Sequence, residues 1–198
     1  MGNWYQAGLG EPKNPTLAKQ WWQQHQGQLT TESLNWFEQA AKRDHSNAQL
    51  ILATHYAKGA HNNKAAITWL KKAASLSNRD AQYLLGERYE QGDGLIKDAA
   101  IAQRWYDKAA AHQQPDALLR LAKHTPPSHQ VNAYQRAANA GSAKAEHWLG
   151  MAYLAGEQLP ADPTLGHYWL ELAASHGVHE AAYQLSLQQR VQRSRCIG

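Results

Sequence analysis

Five alanines, Ala48, Ala81, Ala117, Ala145 and Ala181, stand in one repeating frame, and eight residues before each begins an alanine pair: Ala40-Ala41, Ala73-Ala74, Ala109-Ala110, Ala137-Ala138 and Ala173-Ala174. Successive units are 33, 36, 28 and 36 residues apart. A period of that length holds two helices and a turn and is far too long for a coiled-coil heptad. The chain therefore reads as an array of helical hairpins, each burying its apolar face on its neighbours.

The same chemistry recurs at fixed offsets inside the frame. Four residues after each leading alanine stands a leucine (Leu52, Leu85, Leu121, Leu149, Leu185), and five residues after it a small side chain (Ala53, Gly86, Ala122, Gly150, Ser186). Eight residues after it come Tyr56, Tyr89, Thr125, Tyr153 and Gln189. Offsets 0, 4, 5 and 8 share one helix face, so the first helix of each unit carries an apolar stripe with a notch that admits a second helix at close range. Gly59, Gly92 and Gly156, eleven residues after the alanine, are expected to end that helix in the left-handed conformation. The second helix starts near Asn62, Asp98 or Asp162, whose side chains can accept hydrogen bonds from unpaired first-turn amides. Seven residues later comes Trp69, Trp105 or Trp169, then, four residues on, the alanine pair, with Trp36 and Ala133 at the same place in other units. The indoles are expected to be buried against the next hairpin, where deleting one would cost about 3–5 kcal/mol.

The unit from Ala81 to Gln114 joins A-Q-Y-L-L-G-E-R-Y-E-Q-G-D-G-L-I-K-D to A-I-A-Q-R-W-Y-D-K-A-A-A, and it closely resembles the Sel1-like repeat, a relative of the tetratricopeptide repeat. The units at Ala48 and Ala145 resemble it well and the unit at Ala117 loosely. The resemblance implies an all-α fold, an α/α superhelical solenoid of antiparallel hairpins with about four repeats and partial end units. It divides one repeat domain over residues 1–198 into partial N-terminal helices (3–46), repeats at 47–79 and 80–115, a short degenerate repeat at 116–143, a repeat at 144–179, a capping helix at 180–191 and a basic tail at 192–198.

Residues 3–22 align with 151–170, matching Tyr5 to Tyr153, Gly8 to Gly156, Pro15 to Pro163 and Trp21 to Trp169. The chain is thus expected to open halfway through a unit, with a helix at 15–25 pairing directly with one at 31–43. The unit at Ala117 breaks the pattern: Pro126-Pro127 replaces the glycine turn, Thr125 the tyrosine and Ala133 the tryptophan. Proline at that point forces a stop between helices. Two readings of this unit fit, a degenerate repeat that bends the array or a partner site made by the shortened loop.

Several function classes find no support. No apolar run approaches the roughly 20 residues of a membrane span, and the N-terminus shows no signal-peptide pattern. The single Cys196 permits no internal disulfide and is assigned no role. The net charge of +4 is concentrated in Arg190, Arg193 and Arg195, which leaves the repeats near neutral, so nucleic-acid binding by the tail is a weak alternative. Most of the eleven histidines read as surface residues, including His112 and His176 at one shared offset. The His176-x-x-His179 pair lacks the glutamate of a zinc hydrolase. The carboxylates read as surface groups too, no phosphate-binding or nucleophile motif is present, and no cofactor or metal is expected.

The resemblance implies a non-catalytic adaptor or scaffold, of a kind common in bacteria, that binds a peptide or protein on the concave face lined by the first helices. Non-core frame positions that vary between units are the expected contacts: His55, Tyr83, Glu87, Arg88, Arg120, Lys123, His147, Trp148 and Met151. Trp148 reads equally as an exposed anchor or as packing on its neighbour helix. The alternatives are a cell-wall or peptide ligand-binding protein or hydrolase with a groove site, which requires converging acids and histidines. Neither compartment nor oligomeric state follows from the sequence.

Overall fold

A computed structural model describes residues 31–58 and 62–195, with the side chains of 33–58 and 62–188. The half-unit at 3–22, the helix at 15–25, Gly59, Cys196 and the side chains of Arg190, Arg193 and Arg195 lie outside the described residues. Those residues form ten α-helices and no strand. The chain divides into two compact units, residues 1–112 and 113–198. The first holds α1 (Thr31–Lys42), α2 (Ser46–Lys58), α3 (Asn63–Ser75), α4 (Arg79–Gln91) and α5 (Ala99–Ala111). The second holds α6 (Pro115–His124), α7 (Pro127–Asn139), α8 (Ala143–Ala155), α9 (Pro163–Ser175) and α10 (His179–Arg195). Hairpins α2/α3, α4/α5, α6/α7 and α8/α9 follow the alanine frame.

Helix ends obey the predicted chemistry. Asn62, Asp98 and Asp162 accept from the amides of Ala65, Ile101 and Leu165 at 3.1, 2.9 and 3.0 Å. Gly92 (φ 78°) and Gly156 (φ 71°) close α4 and α8 in the left-handed conformation. Beyond each, the amide of Asp98 or Asp162 returns to the carbonyl of Tyr89 or Tyr153, so the frame tyrosine also fixes the loop. Pro127 starts α7 directly after the break that ends α6 at His124. At the opposite end of each hairpin, four residues past the first alanine of the pair, Asp44, Ser77, Gln113, Gly141 and Gly177 all take positive φ, between 57° and 94°.

The notch is filled as the small side chain requires. A methyl group added at Gly86 would stand 2.7 Å from the ring of Tyr106, and one at Gly150 would stand 2.7 Å from Leu170. The core residue of the second helix is thus the one after the tryptophan, or after Ala133 in its place: Phe37, Leu70, Tyr106, Tyr134 and Leu170 are all buried. This corrects the expectation of buried indoles. Trp69 and Trp105 are only partly buried, and Trp36 is 36% exposed. Trp69 packs on the Phe37, Ala40 and Ala41 cluster of the preceding hairpin, and Trp105 on the cluster containing Leu70, Ala73 and Ala74. Lys72 and Lys108 lie over the indoles at 4.6 and 4.3 Å from the ring centroids. An indole with a cation on one face suits a half-wet seam better than a dry core.

A second recurring device joins one hairpin to the next. Gln49 and Gln82, one residue past the leading alanine, are buried and donate Nε2 to the carbonyls of Ala41 (2.9 Å) and Ala74 (3.2 Å). The amide of each glutamine thereby adds a second donor to a helix-end carbonyl that also accepts from the turn amide of Asp44 or Ser77.

Candidate functional site

In the first unit, the helices α2 and α4 flank α3 and leave an open cavity of about 470 Å³. Its floor is apolar: Ala53 and Ala57 of α2, Ala66, Ile67 and Leu70 of α3, and Leu84 of α4. The floor is open because alanines occupy the α2 side, where longer side chains would fill the space. Its rim is polar, formed by Thr54, Lys58, Asn63, Arg88 and Asp93. Asp93, placed by the left-handed turn at Gly92, forms an ion pair with Arg88 and accepts from Asn63 Nδ2 at 3.3 Å. Thr54 Oγ1 donates to the Leu50 carbonyl at 3.0 Å. Apolar depth with a few fixed polar groups at the mouth is the character of a binding cleft.

The nine expected contact residues fall in both units. Of the four in α2 and α4, only Arg88 lines the cavity. His55 lies edge-on to Tyr56, with ring centroids 5.5 Å apart. Tyr83 is tilted on Tyr106 at 5.4 Å, and Glu87, four residues further along α4, is half-buried. In the second unit, Arg120 is half-buried on α6 and Lys123 is exposed. On α8, Met151 is exposed, while His147 is half-buried with Nε2 lacking a hydrogen-bond partner among the described residues. Trp148 stacks on Tyr134 of α7, with centroids 3.9 Å apart and planes at 11°. Burial pushes the Tyr134 hydroxyl above the usual phenol range.

Of the cavity's polar rim only Arg88 was among the expected contacts; Thr54, Lys58, Asn63 and Asp93 were not. Asn63 and Asp93 follow the helix cap and the glycine turn, where the sequence reads as punctuation. The spacing of Arg88 and Asp93 across Gly92 was the available signal.

One carboxylate is not a surface group, contrary to expectation. Glu146 occupies on α8 the place held by Gln49 and Gln82, and it is 1% exposed. Its Oε2 lies 2.8 Å from Nδ1 of His176, which caps α9 and is 45% exposed. A carboxyl group has no amide N–H to offer a helix-end carbonyl as the glutamines do, and its Oε2 pairs instead with the imidazole at the end of α9. No group of three or more metal-ligating side chains is found among the described residues, and none of the helices searched is long and apolar enough to cross a membrane.

The Sel1 repeat model matches residues 1–24, 30–45, 46–78, 79–113 and 143–178. Residues 114–142, the unit with the proline break, lie outside the matches, as do 25–29 and 179–198. Among solved structures, a Sel1 repeat protein from Oxalobacter formigenes is 27% identical with a TM-score of 0.66, over 91% of this chain and 72% of that one. A protective antigen of uropathogenic Escherichia coli with an SLR fold is 29% identical with a TM-score of 0.61, over 77% of this chain. The chain spans only 35% of that antigen's length. An immunity protein from Pseudomonas aeruginosa is 22% identical with a TM-score of 0.57, over 90% of this chain and 72% of its own, and shares the fold. No curated protein sequence matches. Sel1 repeats generally build non-catalytic protein-interaction modules. With the family model covering most of its length and its hairpins built on the same frame, this chain belongs to the Sel1 repeat family, an α/α solenoid fold.

Proposed function

We propose that the protein is a non-catalytic adaptor that binds a peptide or protein segment on the first helices of its hairpins, with the cavity between α2 and α4 as an anchoring point. The observation that carries this reading is the cavity itself: an apolar floor with a rim whose acid, Asp93, is already held by Arg88 and Asn63. A rim so arranged orients an incoming chain, while an apolar side chain supplies the affinity from the floor. Family membership supports the interaction role, and the protective antigen and the immunity protein are relatives in fold.

The test is site-specific photo-crosslinking in cells, with the crosslinker at Thr54 on the rim and at exposed Thr68 on the outer side of α3 as control. A partner captured from Thr54 alone is then purified and its affinity measured. Leu84→Arg, which fills the floor with charge, is expected to weaken binding at least about tenfold, equivalent to about 1.4 kcal/mol. Equal capture from both positions, or unchanged affinity in Leu84→Arg, would remove the cavity from the interface. Parallel measurements on Arg120→Ala and Trp148→Ala report whether the second unit contributes.

A further inference from the structure

The cavity between α2 and α4 lies open at a place that the second unit fills with its own side chain. Nine residues after the leading alanine stands Ala57 in α2 but Leu154 in α8, and four residues before the core leucine of the second helix stands Ala66 in α3 but Gly166 in α9. Leu154 lies across Gly166 so closely that a methyl carbon added there would stand 2.7 Å from its Cγ. In the first unit no such leucine is present, and Ala57 and Ala66 both line the cavity beside Ile67 and Leu84. The second unit thus displays the kind of group that this apolar slot meets, a branched aliphatic side chain of leucine size. In the first unit the place is left to a side chain from outside the hairpin.

The rim defines what accompanies that side chain. Of its three charged residues, Arg88 and Asp93 are paired with each other, whereas Lys58 is exposed and forms no hydrogen bond or ion pair among the described residues. The mouth therefore carries one uncompensated positive charge, at the edge of the slot because Lys58 follows Ala57 in the chain. Sister helices carry Gln91 and Ala155 at that position, so the repeat has no structural need of a cation there. Asn63 donates its Nδ2 to Asp93, and Thr54 donates its hydroxyl hydrogen to the Leu50 carbonyl, which leaves Asn63 Oδ1 and the lone pairs of Thr54 Oγ1 as acceptors. Acceptors beside an apolar slot suit main-chain N–H groups, and an uncompensated cation suits a carboxylate.

We infer that the cavity takes a peptide segment whose anchor is a leucine-class aliphatic side chain with an aspartate or glutamate within two residues of it. The anchor fills the slot over Ala57 and Ala66, the carboxylate pairs with Lys58, and the segment's amides donate to Asn63 and Thr54. Two residues of extended chain span about 7 Å, within reach of a lysine side chain at the slot's edge. The inference rests on the adaptor reading of this cavity and adds the sequence that the cavity selects.

Phage-displayed random peptides selected on the immobilised full chain supply the probes, and fluorescence anisotropy of the recovered peptides measures their affinity. Peptides that bind the wild type but not Leu84→Arg should share the aliphatic and acidic pair. The double variant Ala57→Leu, Ala66→Gly installs the residue types of Leu154 and Gly166, so it is expected to fold, as checked by circular dichroism, and to bind these peptides at least about tenfold more weakly. Lys58→Glu, at an exposed position, should weaken them about three- to tenfold, and replacing the peptide's acid by lysine should recover the loss. Decanoate, which has an aliphatic chain and a carboxylate but no amide, should not displace them at about 1 mM. Leu84-dependent peptides that lack the aliphatic and acidic pair, or that bind either variant as tightly as the wild type, overturn this inference and leave the cavity as the adaptor's site. Displacement by decanoate assigns the slot to a fatty acid and overturns the peptide. If no recovered peptide depends on Leu84, the cavity reading falls and this inference falls with it.

Discussion

Gly86 provides the sharpest test of how the hairpins close. A methyl carbon at this position would lie 2.7, 2.9 and 3.1 Å from Cε1, Cδ1 and Cζ of Tyr106. The ring has little room to yield, being 1% exposed with its hydroxyl bonded to Glu90 Oε2 at 2.8 Å. Overpacking of this kind costs about 1–3 kcal/mol. The opposing term is helix propensity, which favours alanine over glycine by about 0.8–1.0 kcal/mol. Gly86→Ala should therefore destabilise the protein by up to about 2 kcal/mol, the difference between those two terms. The preceding hairpin indicates the compensating change, because Ala53 and Leu70 occupy the same two places there. Tyr106→Leu alone loses volume and a hydroxyl bond, but in that background Gly86→Ala should cost less, with a coupling of about 1–2 kcal/mol. Urea unfolding followed by far-ultraviolet circular dichroism measures all four proteins of the cycle. If Gly86→Ala raised stability by about 1 kcal/mol, as propensity alone dictates, or if the two changes were additive, the account of the notch would be refuted.

Three further outcomes follow from the core and its clasps. Leu70→Ala should cost about 2–5 kcal/mol in urea unfolding, and more than Trp69→Ala, although the indole is larger, because Leu70 is buried and Trp69 is only partly so. Glu146→Gln restores the residue type of Gln49 and Gln82 and should stay within about 1 kcal/mol of wild type, whereas Glu146→Ala, which leaves a void and no clasp, should lose about 1–3 kcal/mol; equal losses from both would argue against the clasp. Burial, then the hydrogen bond of 3.0 Å to Glu38, raises the pKa of Tyr56. Because the folded value is the higher one, the stability that this phenol contributes is complete below about pH 10 and declines above it. The alkaline loss of stability should accordingly be smaller in Tyr56→Phe, by thermal melting across that range.

Much of the fold is written in the alanine frame because small residues are needed wherever two backbones approach, and that need leaves few substitutes. The caps at Asn62, Asp98 and Asp162 and the turns at Gly92 and Gly156 were legible for the same reason: one backbone geometry admits few residue types. The core position after the tryptophan, or after Ala133 in its place, was not, since Phe37, Leu70, Tyr106, Tyr134 and Leu170 share only bulk and hydrophobicity, and in four of the five the conspicuous indole beside them drew the assignment. Glu146 escaped notice because burial of a carboxylate depends on His176, thirty residues away in sequence. The cavity was harder still. Its walls are ordinary frame residues, and its volume arises from what Ala53, Ala57 and Ala66 do not fill.

The left-handed turns at Asp44, Ser77, Gln113, Gly141 and Gly177 recur at intervals of 33, 36, 28 and 36 residues, the same as the alanine frame. Only two of the five are glycine, so the backbone conformation is imposed by the helices on either side rather than by the residue that adopts it. Every segment cut between two such turns begins and ends in the same geometry, which makes it a cassette. Duplication, deletion or exchange of a segment at these points preserves both junctions, so an array of this kind can lengthen or shorten by recombination without a new solution to how one hairpin hands the chain to the next.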